Sequence, residues 1–432
     1  MLAVTNIWHV LNLRSTPFFQ DALEPGNTVS SPLSLFVGRQ REAATILSDR
    51  RIAAQPDRHP GAPGVGKTTP VNYIKAELTA NGYIADANPI GVVSAATAEH
   101  LLLNILTSVH DAPVVRDETL ANLEAMRNVR QLLAVERSRT FNVNLGLPHF
   151  ATAGMGAGQQ RHTGPGALTV QPHRLLRALR EIAVDHPQTP GVLIHLDNLE
   201  NASEADQQRA AQMIGDLRDT TLMLEGFHFL LVGTDDAIRA VVAGQEQLRS
   251  VFHNPGPLAP LTEAELDELL EARYEHLRLD SARGWIAPVE PAGVHSLYRL
   301  FRGNVRGTLH ALNEAAKVLV GHGAQPTDPM TEAKMTPVLA VIYAQRMSAD
   351  LTSPELGLVR NMVTRALHTG FTRADVVKAL ATTQKHASET FSSLRRKGSL
   401  VDAETVRASR GRPAQSYHLT APPRIAFGLS GA

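Results

Sequence analysis

The sequence predicts an α/β fold built on a parallel sheet, followed by a helical domain and a small C-terminal α+β domain. Three observations lead to this fold class. Short apolar runs alternate with helical patterns from about residue 61 to 250, helical patterns occupy residues 262–320, and helices followed by two short strands occupy residues 353–420. Strands that alternate with helices indicate a parallel sheet, because a helix usually makes the crossover between parallel strands.

Three runs in the alternating region have the composition of buried parallel strands. They are IGVV at 90–93, GVLIHLD at 191–197 and FHFLLVGTD at 227–235. Apolar residues at helical spacing predict helices over 98–109 and 172–185. These elements would supply the central strands of the sheet and part of its helical cover.

The chain divides into four predicted regions: an irregular linker at 1–34, a sheet-bearing core at 35–258, a helical lid at 259–325 and a C-terminal domain at 350–422. Thr262 and Glu265 form a capping box that begins the first lid helix. The stretch 140–166 is rich in glycine and small residues, and both a β-hairpin insertion and a mobile loop fit it.

Composition narrows the classes of function. The 432 residues are 43% hydrophobic and 19% charged with a formal net charge of zero, as in an ordinary globular protein. The absence of cysteine excludes disulfides, thiolate metal sites and a cysteine nucleophile. No run of about 18 apolar residues occurs, so we expect a cytoplasmic protein without a membrane partner. Residues 351–432 hold 12 Lys and Arg but 5 Asp and Glu, and this basic tail indicates a polyanionic partner.

A phosphate-binding loop is predicted at GAPGVGKTT. Its G-x-x-x-x-G-K-[ST] spacing lets backbone N–H groups face phosphate oxygens at the positive end of the next helix. Lys67 would reach the β- and γ-phosphates of a nucleotide, and the Thr68 hydroxyl would bind Mg²⁺. The alternative is a glycine-rich turn that begins a helix; the polar residues 55–60 weaken the match, since only 51–54 resemble a strand. The predicted nucleotide contacts in this loop are Gly61, Ala62, Pro63, Gly64, Val65, Gly66, Lys67, Thr68 and Thr69.

Asp197 ends the apolar run 191–197, at the strand end where ligand sites of α/β proteins gather. We expect its carboxylate to hold Mg²⁺ together with Thr68, although an Asp at this point also serves as a helix N-cap. Glu200 is a candidate to position the hydrolytic water, and a solvated acid in the first turn of a helix is the equal alternative. The residue after Asp197 is Asn198 rather than an acid.

Together these motifs resemble the AAA+ ATPases, in particular the clade of origin-recognition and replication-initiator proteins, over about residues 35–320. FVGR resembles the family's entry motif, which packs near the adenine, so Val37 and Arg39 become candidates for cofactor binding. LLVGTD resembles the sensor-1 strand, and GNVRGTLHALNEA resembles the sensor-2 helix. The resemblance implies a P-loop NTPase sheet with a helical lid, and an ATP hydrolase that uses ATP and Mg²⁺.

The resemblance also implies roles for three further residues. Thr234 would lie near the γ-phosphate, Arg306 would act as sensor 2, and Arg249 would be an arginine finger offered to a neighbouring subunit of a homo-oligomer. Arg239 competes with Arg249 for that role, and Thr234 equally suits the end of a core strand. Asn198 departs from the family's usual Asp-Glu pair, a feature shared with slow signalling ATPases of the STAND group.

The C-terminal region resembles a winged helix-turn-helix domain over about residues 353–420. Three helices are predicted, the first ended by Gly370 and the third by Gly398, followed by two short strands around the sequence RGRP. The core positions of the third helix would be Ala387, Phe391 and Leu394.

The third helix would enter the major groove of double-stranded DNA, and the wing would reach the minor groove or the backbone. The alternative is a winged domain that binds protein, and the basic tail favours DNA. The predicted DNA contacts are Gln384, Lys385, Ser388, Arg395, Arg396, Arg410 and Arg412.

These features lead to a nucleoid-associated, DNA-binding AAA+ ATPase that uses ATP binding and hydrolysis to control assembly on DNA, as an initiator, a loader or a transposition helper. The alternative is a slow ATP-gated regulatory or defence switch with the winged domain as its output, acting with other proteins of a DNA-processing or defence complex. A third hypothesis, an adaptor with a degenerate loop, rests on the polar residues before Gly61.

Overall fold

A parallel sheet and an assembly of helices form two separate units in the computed structural model. Among the described residues, those from 40 to 258 form the sheet unit, and those from 6 to 39 and from 259 to 428 form the helical unit. The structure describes residues 6–24, 31–48, 51–56, 68–85, 88–116, 118–144, 171–185, 190–197, 199, 204–233, 235–243, 246–249, 251–252, 257–321, 329–367, 369–402 and 415–428.

The α-helices are α1 (Ile7–Val10), α2 (Gln40–Ser48), α3 (Thr68–Ala80), α4 (Ala98–Arg116), α5 (Glu124–Asn144), α6 (Pro172–Asp185), α7 (Glu204–Asp216), α8 (Asp235–Ile238), α9 (Glu246–Arg249), α10 (Glu263–His276), α11 (Pro291–Leu300), α12 (Val305–Gly321), α13 (Glu332–Asp350), α14 (Ser353–Thr364), α15 (Arg373–Leu380), α16 (Gln384–Arg396) and α17 (Ala421–Gly428). Short 3-10 turns occupy Leu33–Leu35 and Glu118–Asn122, and π turns occupy Arg218–Leu222 and Arg239–Ala243. The strands are β1 (Arg51–Pro56), β2 (Ile84–Ala85), β3 (Ile90–Gly91), β4 (Val192–Asp197), β5 (Phe227–Val232), β6 (Pro257–Leu258), β7 (Phe371–Thr372), β8 (Leu400–Asp402) and β9 (Ser416–Leu419). No helix in these described ranges has both the length and the apolar content to cross a bilayer.

In the described part of the sheet unit, the strands are all parallel and follow the order β2-β4-β5-β1-β6. Strand β3 pairs with the end of β4, beyond the point where β2 stops. Ile194 of β4 lies opposite Phe229 of β5, and Leu230 of β5 lies opposite Ile52 of β1. Strands β4 and β5 are nearly continuous apolar runs, because helices cover both faces of a parallel sheet. The predicted α/β class with a parallel sheet is confirmed.

The side chains of β4 alternate between two helical layers. Ile194 packs in the larger apolar cluster, which contains residues of α4, α6 and α7. Leu193 packs instead in a smaller cluster with Ile74 of α3. Residues two apart on a strand share a face, so His195 and Asp197 lie on the same side as Leu193, towards α3.

Helices α10 to α13 of the helical unit pack around one apolar cluster that includes Leu270, Leu297, Leu312 and Leu339. The predicted capping box begins α10. The Thr262 hydroxyl accepts the Glu265 N–H at 3.2 Å, and the Glu265 carboxylate accepts the Thr262 N–H at 2.7 Å. This pair satisfies two N–H groups that the first turn of a helix leaves without partners.

The described N-terminal residues differ from the irregular linker predicted at 1–34. Trp8, Leu13 and Phe18 are buried in the apolar cluster of the helical unit. Buried Arg273 of α10 donates from Nη1 to the carbonyl of Pro17 at 3.1 Å and to that of Phe19 at 2.8 Å. The apolar residues of this segment follow neither helical nor strand spacing in the sequence, because their partners lie more than 200 residues away in α10 and its neighbours.

The C-terminal part of the helical unit consists of α14, α15 and α16 with the antiparallel sheet β7-β9-β8. Phe391 of α16 lies against Phe371 and Tyr417, with ring centroids 6.1 and 4.9 Å apart. These three helices and the small sheet occupy the region predicted to be a winged helix-turn-helix domain. The predicted core positions are confirmed, since each is fully buried: Ala387, Phe391 and Leu394.

Several boundaries differ from the sequence prediction. Helix α14 ends at Thr364 rather than at Gly370, because Ala366 takes a left-handed conformation and the Leu367 N–H bonds back to the Met362 carbonyl. Strand β7 and helices α13 and α17 were not predicted. Of the glycine-rich stretch 140–166, residues 140–144 belong to α5, and the others lie outside the described residues.

Candidate functional sites

The predicted phosphate-binding loop connects β1 to α3. Strand β1 lies between β5 and β6 and extends to Pro56, two residues beyond the part that resembles a strand in the sequence. Helix α3 begins at Thr68, which is exposed, while Thr69 is partly buried and Pro70 is buried in the first turn. A first-turn proline removes no helical hydrogen bond. The predicted contacts that lie outside the described residues are Gly61, Ala62, Pro63, Gly64, Val65, Gly66 and Lys67.

Asp197 is the last residue of β4, and its carbonyl accepts the Val92 N–H at 3.1 Å. Its carboxylate is 26% exposed, so it reaches the surface at the carboxyl edge of the sheet. An exposed Thr hydroxyl at a helix start and a carboxylate at this edge are oxygen donors of the kind that Mg²⁺ prefers. Within the described residues no group of three His, Asp or Glu side chains is arranged to hold a metal. Thr68 and Asp197 supply two oxygens of this kind, and an ion held by them would take its other ligands from phosphates and water.

His195 lies two residues before Asp197 and is 2% exposed. Its Nε2 is 3.8 Å from the nearer oxygen of Asp197, too long for a hydrogen bond. Burial lowers the pKa of His195 well below its ordinary value, and the charge of Lys75 on α3 lowers that pKa further. The imidazole is therefore neutral at physiological pH. A histidine inside an otherwise apolar strand is the signal in the sequence that marks this position.

The remaining catalytic candidates of the sheet unit are only partly described. Arg249 is exposed at the end of α9, and Arg239, the other candidate for the arginine finger, is exposed as well. Exposure therefore does not distinguish the two candidates. Glu200 and Thr234 lie outside the described residues.

In the helical unit, the FVGR motif forms a tight turn beside α10. Gly38 has φ 82°, and a Cβ added to it would lie 2.9 Å from Leu261 and 3.0 Å from Glu265, so only glycine fits without strain. Val37 packs against the apolar cluster, and Arg39 is 4% exposed. Both candidates for cofactor binding are thus held in the packing of this unit.

The GNVR motif begins α12. The Asn304 side chain accepts the Gly307 N–H at 2.9 Å, and Asn304 therefore caps the helix. Arg306 lies in the first turn and is exposed. The local sequence thus presents the Arg306 guanidinium to solvent at the start of a 17-residue helix.

The predicted DNA-contacting helix is α16. Gln384, Lys385, Arg395 and Arg396 are exposed, and Ser388 is partly buried. Lys385 makes a loose ion pair with Glu389 at 3.9 Å, which leaves it largely solvated. Strands β8 and β9 flank residues 403–414; the predicted wing contacts Arg410 and Arg412 lie outside the described residues.

No protein-family model matches this chain, and no curated protein matches it. Solved structures do. The Aeropyrum pernix ORC2 protein in ADPNP-ADP complexes is similar at 16% identity and a TM-score of 0.47, covering 96% of each chain. The Aeropyrum pernix ORC1 protein in complex with DNA is similar at 14% identity and a TM-score of 0.41, covering 91% of this chain and 93% of its own. The Thermotoga maritima RuvB Holliday junction branch migration motor is similar at 14% identity and a TM-score of 0.37, covering 90% of this chain and 89% of its own.

Proposed function

We propose that this protein is a DNA-binding AAA+ ATPase that uses ATP binding and hydrolysis to control its assembly on double-stranded DNA. One observation carries the proposal: the GAPGVGKTT sequence connects β1, an inner strand of a parallel sheet, to the N-terminus of α3. Asp197 ends a strand of the same sheet, so it lies at the carboxyl edge where the loop begins. This is the context that a phosphate-binding loop requires.

In this proposal Lys67 and the loop N–H groups bind the β- and γ-phosphates of ATP. Thr68 and Asp197 hold Mg²⁺, which would offset charge on the phosphate oxygens. Water attacks the γ-phosphorus as the bond to the β–γ bridging oxygen breaks, which yields ADP and phosphate. The family resemblance assigns Glu200 to the water and Thr234 and Arg249 to the γ-phosphate, and it assigns the role of sensor 2 to Arg306 of the helical unit.

The proposed output is the winged helix-turn-helix. Helix α16 buries Phe391 and Leu394 and turns polar and basic side chains outward, including Arg395 and Arg396. The surplus of seven positive charges in residues 351–432 favours a polyanion. Self-assembly through Arg249 would couple nucleotide occupancy to the number of winged domains on the DNA.

The decisive experiment measures ATP binding and turnover by the full chain, with and without duplex DNA. We expect turnover that DNA stimulates, abolished in Lys67→Ala and unchanged in Lys334→Ala, which alters an exposed lysine of α13. Wild-type protein that binds no nucleotide would overturn the proposal.

DNA binding is tested separately, by measuring affinity for duplex DNA against salt concentration. The double variant Arg395→Ala, Arg396→Ala should flatten the slope of log affinity against log salt by about one for each phosphate that the arginines neutralise. Arg278→Ala, in the lid, should leave the slope unchanged. Affinity that does not vary with salt would contradict phosphate contacts.

A second candidate function is a slow ATP-gated regulatory or defence switch with the same winged output. Asn198 favours it, because an amide after Asp197 cannot act as a general base. Tight ATP binding with negligible turnover, with or without DNA, would select this candidate over the first.

A further inference from the structure

His195 is a buried polar side chain that the packing of the sheet unit does not explain. Neither ring nitrogen has a hydrogen-bond partner among the residues that the structure describes, and the residue is 2% exposed. Leaving a buried donor or acceptor unsatisfied costs stability, whereas an apolar side chain at the same place would cost none. The rest of β4 before Asp197 is apolar, so a leucine would suit this position better for packing alone.

The position of the ring points to a partner. Nε2 lies 3.8 Å from Oδ2 of Asp197, less than 1 Å beyond the longest ordinary hydrogen bond. Both side chains lie on the α3 side of the sheet, and β3 and β5 hold the β4 backbone on either side. The imidazole is enclosed, whereas the carboxylate is 26% exposed at the edge of the sheet. A small rotation of the Asp197 side chain would bring one oxygen to the ring.

We propose that His195 is a positioning residue for Asp197: its Nε2–H donates to one carboxylate oxygen and leaves the other to face Mg²⁺. The inference rests on the proposed function, because it needs Asp197 as a metal ligand. Carboxylates that bind metals are commonly held by a second hydrogen bond, and removal of that bond weakens metal affinity. The 3.8 Å separation is then the open form of a contact that closes when the ion binds.

The test uses the full chain and a fluorescent ATP analogue carrying a methylanthraniloyl group. Nucleotide binding is measured first in EDTA and then during a titration with MgCl₂. His195→Leu and His195→Phe remove the donor, and His195→Gln keeps an N–H donor on a flexible side chain. His228→Leu is the matched control, since His228 lies on β5, opposite Leu193 and on the same face of the sheet, but away from the end of β4.

We expect both donor-free variants to need about tenfold or more Mg²⁺ for half-maximal binding, with affinity in EDTA unchanged. The Gln variant should lie between them and wild type, and His228→Leu should match wild type. Thermal unfolding does not distinguish a positioning role from a packing role, because removing an unsatisfied polar group stabilises the fold in both cases. If one donor-free variant fails to fold, the other still decides.

Two outcomes would overturn the inference. One is an unchanged Mg²⁺ requirement in the donor-free variants; the other is an equal fall in affinity in EDTA and in Mg²⁺, which would show only a packing role. Wild-type protein that binds the nucleotide neither in EDTA nor in Mg²⁺ would instead refute the proposed function itself. The two failures are therefore distinguishable.

Discussion

The Nζ of Lys397 lies 2.7 Å from Oε2 of Glu355 and thereby joins the end of α16 to the start of α14. The same oxygen accepts the N–H and the hydroxyl of Thr352, which caps α14. Burial by itself raises the pKa of Glu355, but hydrogen bonds from Lys397, Ser393 and Thr352 outweigh it and lower the pKa to about 2. One carboxylate therefore anchors the proposed DNA-contacting helix.

Glu355→Gln should lower the free energy of unfolding at pH 7 by about 1–3 kcal/mol, since the Lys397 ammonium loses its charged partner. A carboxylate with a depressed folded pKa stabilises above its unfolded pKa of 4.5, and this stabilisation disappears as the pH falls towards about 2. The free energies of unfolding of wild type and Glu355→Gln should therefore converge as the pH falls from 4.5 towards about 2 in denaturant titrations. Glu389→Gln, at an exposed position of α16, should change little at any pH.

His310 of α12 links two other elements. Arg346 Nη1 lies 3.0 Å from Nε2, and because arginine only donates, Nε2 must accept. In the neutral ring Nδ1 then carries the proton, 3.1 Å from the Gln20 side-chain amide, whose oxygen must face it as the acceptor. Burial lowers the pKa of His310; Arg346 and Lys317 lower it as well, against the opposing effect of Glu314. Because the folded state binds this proton less readily than the unfolded state, stability should fall as the pH drops below 6.5.

His310→Gln should reduce the loss of stability that begins below pH 6.5, to which buried His195 also contributes, and leave the part that begins below pH 4.5. Denaturant titrations at half-unit pH steps separate the two windows. His386→Gln, on the exposed start of α16, should leave both in place. A His310→Gln curve parallel to wild type through pH 6 would contradict the assigned tautomer and contact.

Arg273 fastens the N-terminal segment to α10. Its guanidinium donates to two backbone carbonyls and stacks 4.0 Å over the Phe19 ring. Arg273→Met should lower the free energy of unfolding by about 2–4 kcal/mol, because the carbonyls of Pro17 and Phe19 lose their donor. Limited proteolysis should cut the first 20 residues faster in the variant. Arg278→Met, which breaks an exposed ion pair with Glu275, should cost less than about 1 kcal/mol.

Two glycines should respond to alanine with opposite signs. Gly38→Ala should destabilise by about 1–3 kcal/mol, because φ is 82° and the new Cβ would overlap Leu261. Gly357→Ala should stabilise by about 0.5–1 kcal/mol, because Gly357 lies inside α14 with open space around it. The change in melting temperature of each variant gives the sign of its stability change. A Gly38→Ala variant as stable as wild type would contradict the turn described for FVGR.

The sequence predicted best where the signal is local. Apolar runs located β4 and β5, and residue types with strong capping preferences located the start of α10. Prediction failed where a residue's environment is supplied from far along the chain. The last two residues of β1, Gln55 and Pro56, were not predicted as strand because they lack the apolar pattern. Their strand conformation comes from backbone pairing with β6. Ala366 ended α14 before Gly370 because Leu367 packs in the core there.

By itself the sequence determined the parallel α/β class and the acid at a strand end, and it predicted the phosphate-binding loop, because spacing along the chain encodes strand, turn and helix. The tertiary structure decided what those residues touch. It enclosed His195 beside Asp197, packed the N-terminal segment around Arg273 and tied α16 to α14 through Glu355. Burial and hydrogen-bond partners come from residues far apart in sequence, and only folding brings them together.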